Sequence, residues 1–157
     1  MNNYRPCVGI MLLNSKNMVL VGKRLDSNDD LKPAWQMPQG GINKDEKPND
    51  AALRELKEEI GTNNAHIICE YKKWLRYDLP EELRKSLWKG KYTGQEQKWF
   101  AMRFLGKDSE IDINTSEPEF KDWKWIKAED LVSVVVPFKR CIYKTLINRL
   151  FSEAIRS

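Results

Sequence analysis

The chain predicts an α/β fold with helices on both faces of a central sheet, and three observations carry that expectation. Short runs of strand-forming residues recur along the sequence. One amphipathic helix interrupts them near residue 50, and a second helical period closes the chain. Each helix has an apolar arc to cover, and a sheet with two faces can cover both.

Residues 7–13 and 18–23 are apolar runs on either side of Asn14-Ser15-Lys16-Asn17, which reads as a hairpin. Residues 26–33 are polar and loop-like. Residues 35–38 then lead through Gly40-Gly41 into the first helix, so the glycines sit where a backbone carbonyl can approach a cation. That helix begins at Pro48, tolerated in a first turn, and stops at Gly61. At about 100° per residue, Glu55, Glu58 and Glu59 fall within an arc of about 100°, and Leu53, Leu56 and Ile60 on another that can face a core. Residues 66–71, 73–77, 99–105 and 123–126 read as strands. Residues 138–155 carry apolar side chains at 138, 141, 142, 146, 150 and 154, the spacing of a terminal helix. Residues 80–98 lack a sustained apolar period, and one helical turn through 81–87 is the most the pattern supports.

The glutamate arc is where chemistry enters. Like charges one turn apart cost a few tenths of a kcal/mol per pair in a bare helix. Arg54 can pair with Glu58 one turn on, yet two carboxylates stay close together without an opposite charge on that face. Hard divalent cations take such oxygen ligands and complete their shell with water and substrate phosphates, whereas a thiophilic metal would want sulfur. A solvated acidic helix face is the competing explanation of the triplet taken alone.

The remaining composition sets bounds. A chain of 157 residues suits one domain over 1–157 with a sizeable core, and 41% apolar with 32% charged residues is the balance of a folded globular protein. Cys7, Cys69 and Cys141 are odd in number and lack CxxC spacing, against both a disulfide framework and a zinc site, and are expected as buried free thiols. The one histidine, His66, reads as an edge-of-strand residue. The first residues show no basic region and no cleavage site, and no apolar run nears the roughly 20 residues that span a bilayer, so a cytoplasmic location without a membrane partner is expected. Basic stretches at 72–76, 84–91 and 139–149 permit a polyanionic partner without requiring one. Trp35, Trp74, Trp99, Trp123 and Trp125 are expected in the core and Trp88 exposed; Phe138, at a helix start, could be core or could stack a base.

Gly40, Glu46, Arg54, Glu55, Leu56, Glu58, Glu59 and Gly61 match the Nudix box, G-x5-E-x7-R-E-U-x-E-E-x-G-U, at every position but the last, where Thr62 replaces an aliphatic residue. Through residues 40–61 the chain thus resembles the Nudix hydrolases. Outside the box, YRPCVGI, WQMPQGGI, WLRYDLP, GQEQKWF, PEFKDWKW and VVPFKR resemble the bacterial RNA pyrophosphohydrolases, a group that includes enzymes described as dinucleoside polyphosphate (diadenosine tetraphosphate) hydrolases and as invasion-associated proteins. The resemblance covers about residues 4–150. It implies a mixed central β-sheet sandwiched between helices, α/β/α, and a hydrolase that uses Mg²⁺ or Mn²⁺, with more than one ion.

The implied substrate is 5′-triphosphorylated RNA, cut to a 5′-monophosphate end and so committed to decay, with no DNA partner. A dinucleoside polyphosphate at the same site is the alternative, and a non-catalytic RNA-binding module on this scaffold a further one. The resemblance implies that Glu55, Glu58 and Glu59 hold the metals, with Gly40 and Glu119 as further ligands and Arg54 among the catalytic residues. It matches Arg5, Arg24 and Lys139 to positions that meet phosphates or RNA, Val136 and Phe138 to a base pocket, and Gln39 and Tyr77 to the adjoining substrate site. Residues 29–34 form a slightly longer loop than in the best-known members, with Ala34 in place of a small hydroxyl residue, which leaves that loop's phosphate contacts open.

Overall fold

Two long strands form the spine of the molecule. β1 (Tyr4–Leu13) and β7 (Gly94–Phe104) run parallel, from Tyr4 opposite Gly94 to Leu13 opposite Arg103. The computed structural model of the chain describes residues 3–25 and 35–156. Among these residues the other strands are β2 (Val19–Arg24), β3 (Trp35–Gln36), β4 (Gln39–Gly41), β5 (Ala65–Glu70), β6 (Leu75–Asp78) and β8 (Phe120–Ile126), all antiparallel to their partners. The sheet is therefore mixed. The loop expected at 26–33 and the lengthening expected at 29–34 fall outside the described residues.

Alternation along β1 explains the layers, since successive side chains of a strand point to opposite faces. Val8, Ile10 and Leu12 pack with Ala51, Ala52, Leu56 and Ile60 of α1 (Pro48–Ile60). Met11 and Leu13 pack on the other face with Tyr143, Leu146, Leu150 and Ala154 of the C-terminal helical segment. Each fully buried Val, Leu, Ile or Met among them contributes about 1.5–3 kcal/mol over exposure. Helices thus cover both faces, as the sequence predicts.

The spine strands change partners along their length. On its outer edge β1 meets β2 at Leu13 but meets β4 at Cys7, Val8 and Gly9. Likewise β7 meets β5 from Phe100 onward but meets β6 from Gly94 to Gln97. The N-terminal halves of β1 and β7 are consequently flanked by β4 and β6. This brings Gln39-Gly40-Gly41, Gln95 to Gln97 and Tyr77 side by side.

Several expectations need correction. The strand expected at 99–105 starts at Gly94; its inward positions there are Gln95 and Gln97, both buried, so no apolar alternation announced it. Within 80–98 the short helix α2 (Glu81–Ser86) forms where one helical turn was expected. After α3 (Leu131–Val134), the terminal helix is not uniform: α4 (Arg140–Thr145) widens into a π-type turn at Leu146–Phe151 before a last turn at Ser152–Ala154. Trp99 is fully buried, but Trp74 is 40% exposed, and Trp88, expected outside, is half-buried beneath Arg5. Trp74 precedes β6 and has no facing layer. All three thiols are free, yet only Cys7 is buried; Cys69 is half-buried and Cys141 sits on the outer side of α4. No helix among the described residues is long and apolar enough to cross a membrane.

Candidate active site

α1 delivers the glutamates at different depths. Glu59 is only 4% exposed, Glu55 is half-buried and Glu58 is exposed. The helix packs one arc on the sheet, so Glu59, beside Ile60 at the edge of that arc, sinks as it docks, while Glu58, about 100° round the axis, does not.

Arg54 ties this helix to the glycine strand ahead of it. Its Nε and Nη2 donate to Glu46 at 2.8 and 2.9 Å, Nη2 also to the Gly41 carbonyl at 2.8 Å, and Nη1 to Glu55 at 2.9 Å and Glu58 at 3.1 Å. The pairing with Glu58 is the expected one. The expectation of two carboxylates without a neighbouring cation is not met, because Arg54 takes Glu55 as well. Its hydrogen bond holds the Glu46 carboxyl below the usual range, helped by the Asn43 N–H.

Glu59 faces inward to β4, where the Gln39 N–H donates to its Oε2 at 3.3 Å. Burial drives its carboxyl well above the ordinary value, and the charges of Glu55 and Glu119 add to the shift; the Gln39 N–H and Lys139 oppose it. Burial also raises Glu55, against Arg54 and Arg5. Glu119, exposed just before β8, shares a cavity of about 360 Å³ with Arg24, Leu25 and Pro118. Its backbone carbonyl accepts the Leu25 N–H at 2.9 Å, which joins the two segments.

Gly40 sits directly against the helix, and a Cβ there would overlap the Glu55 carboxylate. Backbone and carboxylate are thereby left in contact. Among the described residues no three acidic, histidine or cysteine side chains converge on one point as metal ligands: Glu55 and Glu58 turn to Arg54, and Glu59 to the Gln39 amide. The donor set nonetheless fits a hard cation in kind. It is all oxygen, and its deepest member is a carboxylate that burial disfavours as an anion, which a cation would relieve.

Beside the carboxylates lies a slot that no local stretch of sequence contains. Tyr77 of β6 meets Phe138 with ring centroids 5.7 Å apart, and Lys139 Nζ lies 5.8 and 5.9 Å from the two rings. Val136 is half-buried, and its carbonyl accepts the Lys139 N–H at 3.0 Å. An amide relay floors the slot: Lys139 Nζ donates to Gln36 at 3.1 Å and to Gln39 at 3.5 Å, Gln97 donates to Gln39 at 3.1 Å and Gln95 at 3.0 Å, and the Tyr77 hydroxyl donates to Gln95 at 2.7 Å. Trp99 Nε1 completes it by donating to Gln97 at 3.0 Å. Gln36, Gln95 and Gln97 were not anticipated. The signal was the period-two row Gln95, Gln97, Trp99 in GQEQKWF. Burial lifts the Tyr77 hydroxyl far above its ordinary value, so it serves as a neutral donor.

The structure thus gathers Gly40, Arg54, Glu55, Glu58 and Glu59 around α1 and β4, and Gln39, Tyr77, Val136, Phe138 and Lys139 in the adjoining slot. Arg5 reaches the same end of the sheet across Gly41. Arg24 and Glu119 form the neighbouring cavity.

The site is a carboxylate helix packed against a glycine strand, with an aromatic and amide cluster alongside, and the model of the NUDIX domain matches residues 3–146. The chain belongs to this family. It is 55% identical over 147 residues to an RNA pyrophosphohydrolase of Roseobacter denitrificans, covering 92% of this chain and 90% of that protein. It is 49% identical over 154 residues to an RNA pyrophosphohydrolase of Wolbachia pipientis subsp. Culex pipiens, covering 98% and 92%. Among solved structures, a C. elegans Ap4A hydrolase binary complex superposes with a TM-score of 0.65 at 19% identity, covering 94% of this chain and 98% of the other, a likeness of fold.

Proposed function

We infer that the chain is an RNA pyrophosphohydrolase, converting the 5′-triphosphate end of RNA to a 5′-monophosphate in the cytoplasm and so opening the transcript to decay. The observation that carries this reading is the buried Glu59 carboxylate one residue-layer from the Tyr77–Phe138–Lys139 slot, joined to it through Gln39. Near-full-length identity of about half with proteins named for that activity supports it.

Nudix enzymes generally use divalent metal ions, here Mg²⁺ or Mn²⁺. Glu55, Glu58 and Glu59 would hold them, with Glu119 and the Gly40 carbonyl as further ligands. When bound, such ions neutralise phosphate charge and make water more acidic. The protein's own groups do the rest. Phe138 and Tyr77 would stack a base near the 5′ end, with Val136 at its edge. Lys139 and Arg5 would meet phosphate oxygens, and Arg24 the chain beyond. Glu55 or Glu119 would accept the proton of the attacking water at a carboxylate oxygen. Arg54 keeps the helix and the glycine strand in register while this happens.

The test is to incubate the protein and Mg²⁺ with γ-labelled triphosphate RNA and, in parallel, with a dinucleoside tetraphosphate. Release of label and a monophosphate RNA end, at higher kcat/KM than for the dinucleotide, is expected. Preference for the dinucleotide would move the assignment to that substrate. RNA binding indifferent to Mg²⁺, with no label released, would replace the enzyme by a binding module.

A further inference from the structure

The segment between β6 and β7 turns back over the N-terminal end of β1. Trp88, Lys89 and Gly90 are consecutive left-handed residues, with φ of 48°, 58° and 71°. Non-glycine residues adopt that conformation at a cost and keep it only where surrounding contacts hold it. Here the contacts centre on Trp88. Its side chain packs against the core cluster that holds Tyr77 and Leu79, meets Tyr92 edge-on at 5.9 Å, and covers the Arg5 guanidinium, whose Cζ lies 4.9 Å from the ring centroid. The segment is pinned at its base, where the Leu79 N–H donates to the Thr93 carbonyl at 3.0 Å and Arg84 Nε to the Leu79 carbonyl at 2.9 Å.

Arg5 is held on its other side as well. It crosses Gly41, where any side chain would overlap Nη2. Among the described residues, the one hydrogen bond it donates is a 3.7 Å contact to Cys7 Sγ. A guanidinium stacked on an indole keeps its in-plane N–H groups available. Those are the groups a phosphate takes in pairs.

We propose that Trp88 is a positioning residue, which by stacking on the Arg5 guanidinium holds it in the orientation that receives a polyphosphate beside Glu55. This rests on the reading of Arg5 as a phosphate contact. The left-handed turn is the device that brings the indole over Arg5, and Gly41 is the floor that lets Arg5 pass.

A double-mutant cycle tests it, with inorganic triphosphate as the probe and its binding followed by calorimetry. Trp88→Ala is expected to weaken binding about three- to tenfold, and Trp88→Phe, which keeps an aromatic face, to restore most of the loss. In an Arg5→Ala background the same Trp88→Ala change is expected to cost nothing more. In kinetics on triphosphate RNA, KM should rise in parallel while kcat holds. Wild-type binding by Trp88→Ala would overturn the proposal. So would a loss undiminished in the Arg5→Ala background among variants that circular dichroism shows to be folded. If the wild type hydrolyses neither RNA nor dinucleotide, the proposed function fails, and the calorimetric coupling still decides the role of Trp88.

Discussion

The carboxylate helix and the aromatic slot share a border yet are assembled in opposite ways. Gly40, Gly41, Glu46, Arg54, Glu55, Glu58 and Glu59 lie within twenty residues, and one guanidinium ties most of them together. The slot draws Gln39, Tyr77, Gln95, Gln97, Phe138 and Lys139 from four separate segments, held by a relay of amides. The difference separates two tasks. Charge concentrated by a single helix suits bond cleavage, whereas neutral amides and rings gathered by the sheet suit recognition.

If that division holds, the two regions fail differently. Glu59→Gln, and separately Glu58→Gln, should cut kcat by at least about 10²-fold while the protein stays folded. Phe138→Ala should leave kcat nearly unchanged and raise KM by about five- to 150-fold, the range that base stacking of about 1–3 kcal/mol allows. Steady-state kinetics on triphosphate RNA checks both. Full activity in both glutamine variants would refute the ligand assignment, and a kcat loss in Phe138→Ala equal to theirs would erase the distinction.

Next in size is the clamp. Removing the guanidinium in Arg54→Ala strands Glu46, Glu55 and the Gly41 carbonyl together. A loss of about 2 kcal/mol, or about 4–8 °C in Tm, is expected by thermal melting. Arg54→Lys should recover little, since one ammonium cannot span four partners.

The acid–base behaviour of Glu59 offers a finer probe. Burial raises its folded-state carboxyl above the ordinary value, so the folded protein holds a proton that the unfolded chain has already released. Metal-free stability should therefore fall as pH rises from the ordinary carboxylate value through the raised one, and remain lower above it. Glu59→Gln should remove that slope and raise the metal-free Tm at neutral pH by at least about 2 °C. A melting series across pH without metal checks the sign. The smallest effect is expected from Gln97→Leu, which leaves Trp99 Nε1 without its acceptor and takes the nearer of two donors from Gln39 Oε1. A cost of about 1 kcal/mol and a modest rise in KM should follow.

The same contrast explains what could be read from residues alone. The box was legible because its spacing is local: Gly40 to Gly61 folds as one strand-turn-helix, and helical angle alone brings Glu55, Glu58 and Glu59 to one side. The two-faced sheet was legible from the apolar arcs of α1 and of Ile142, Leu146, Leu150 and Ala154. The early start of β7 was not, because its buried positions there are Gln95 and Gln97, whose inward direction depends on Gln39 and Tyr77 arriving from elsewhere. Trp74 and Trp88 were misjudged for the same reason. Whether an indole is covered depends on what the sheet sets opposite it, and Arg5 covers Trp88 while no facing layer reaches Trp74.

The most direct measurement is Mn²⁺ binding followed by electron paramagnetic resonance, comparing the natural chain with one carrying Glu55→Gln, Glu58→Gln and Glu59→Gln. If these carboxylates hold the cations, the natural chain depletes the signal of free Mn²⁺ and the substituted chain, folded by circular dichroism, leaves it intact. Equal depletion by both would contradict it.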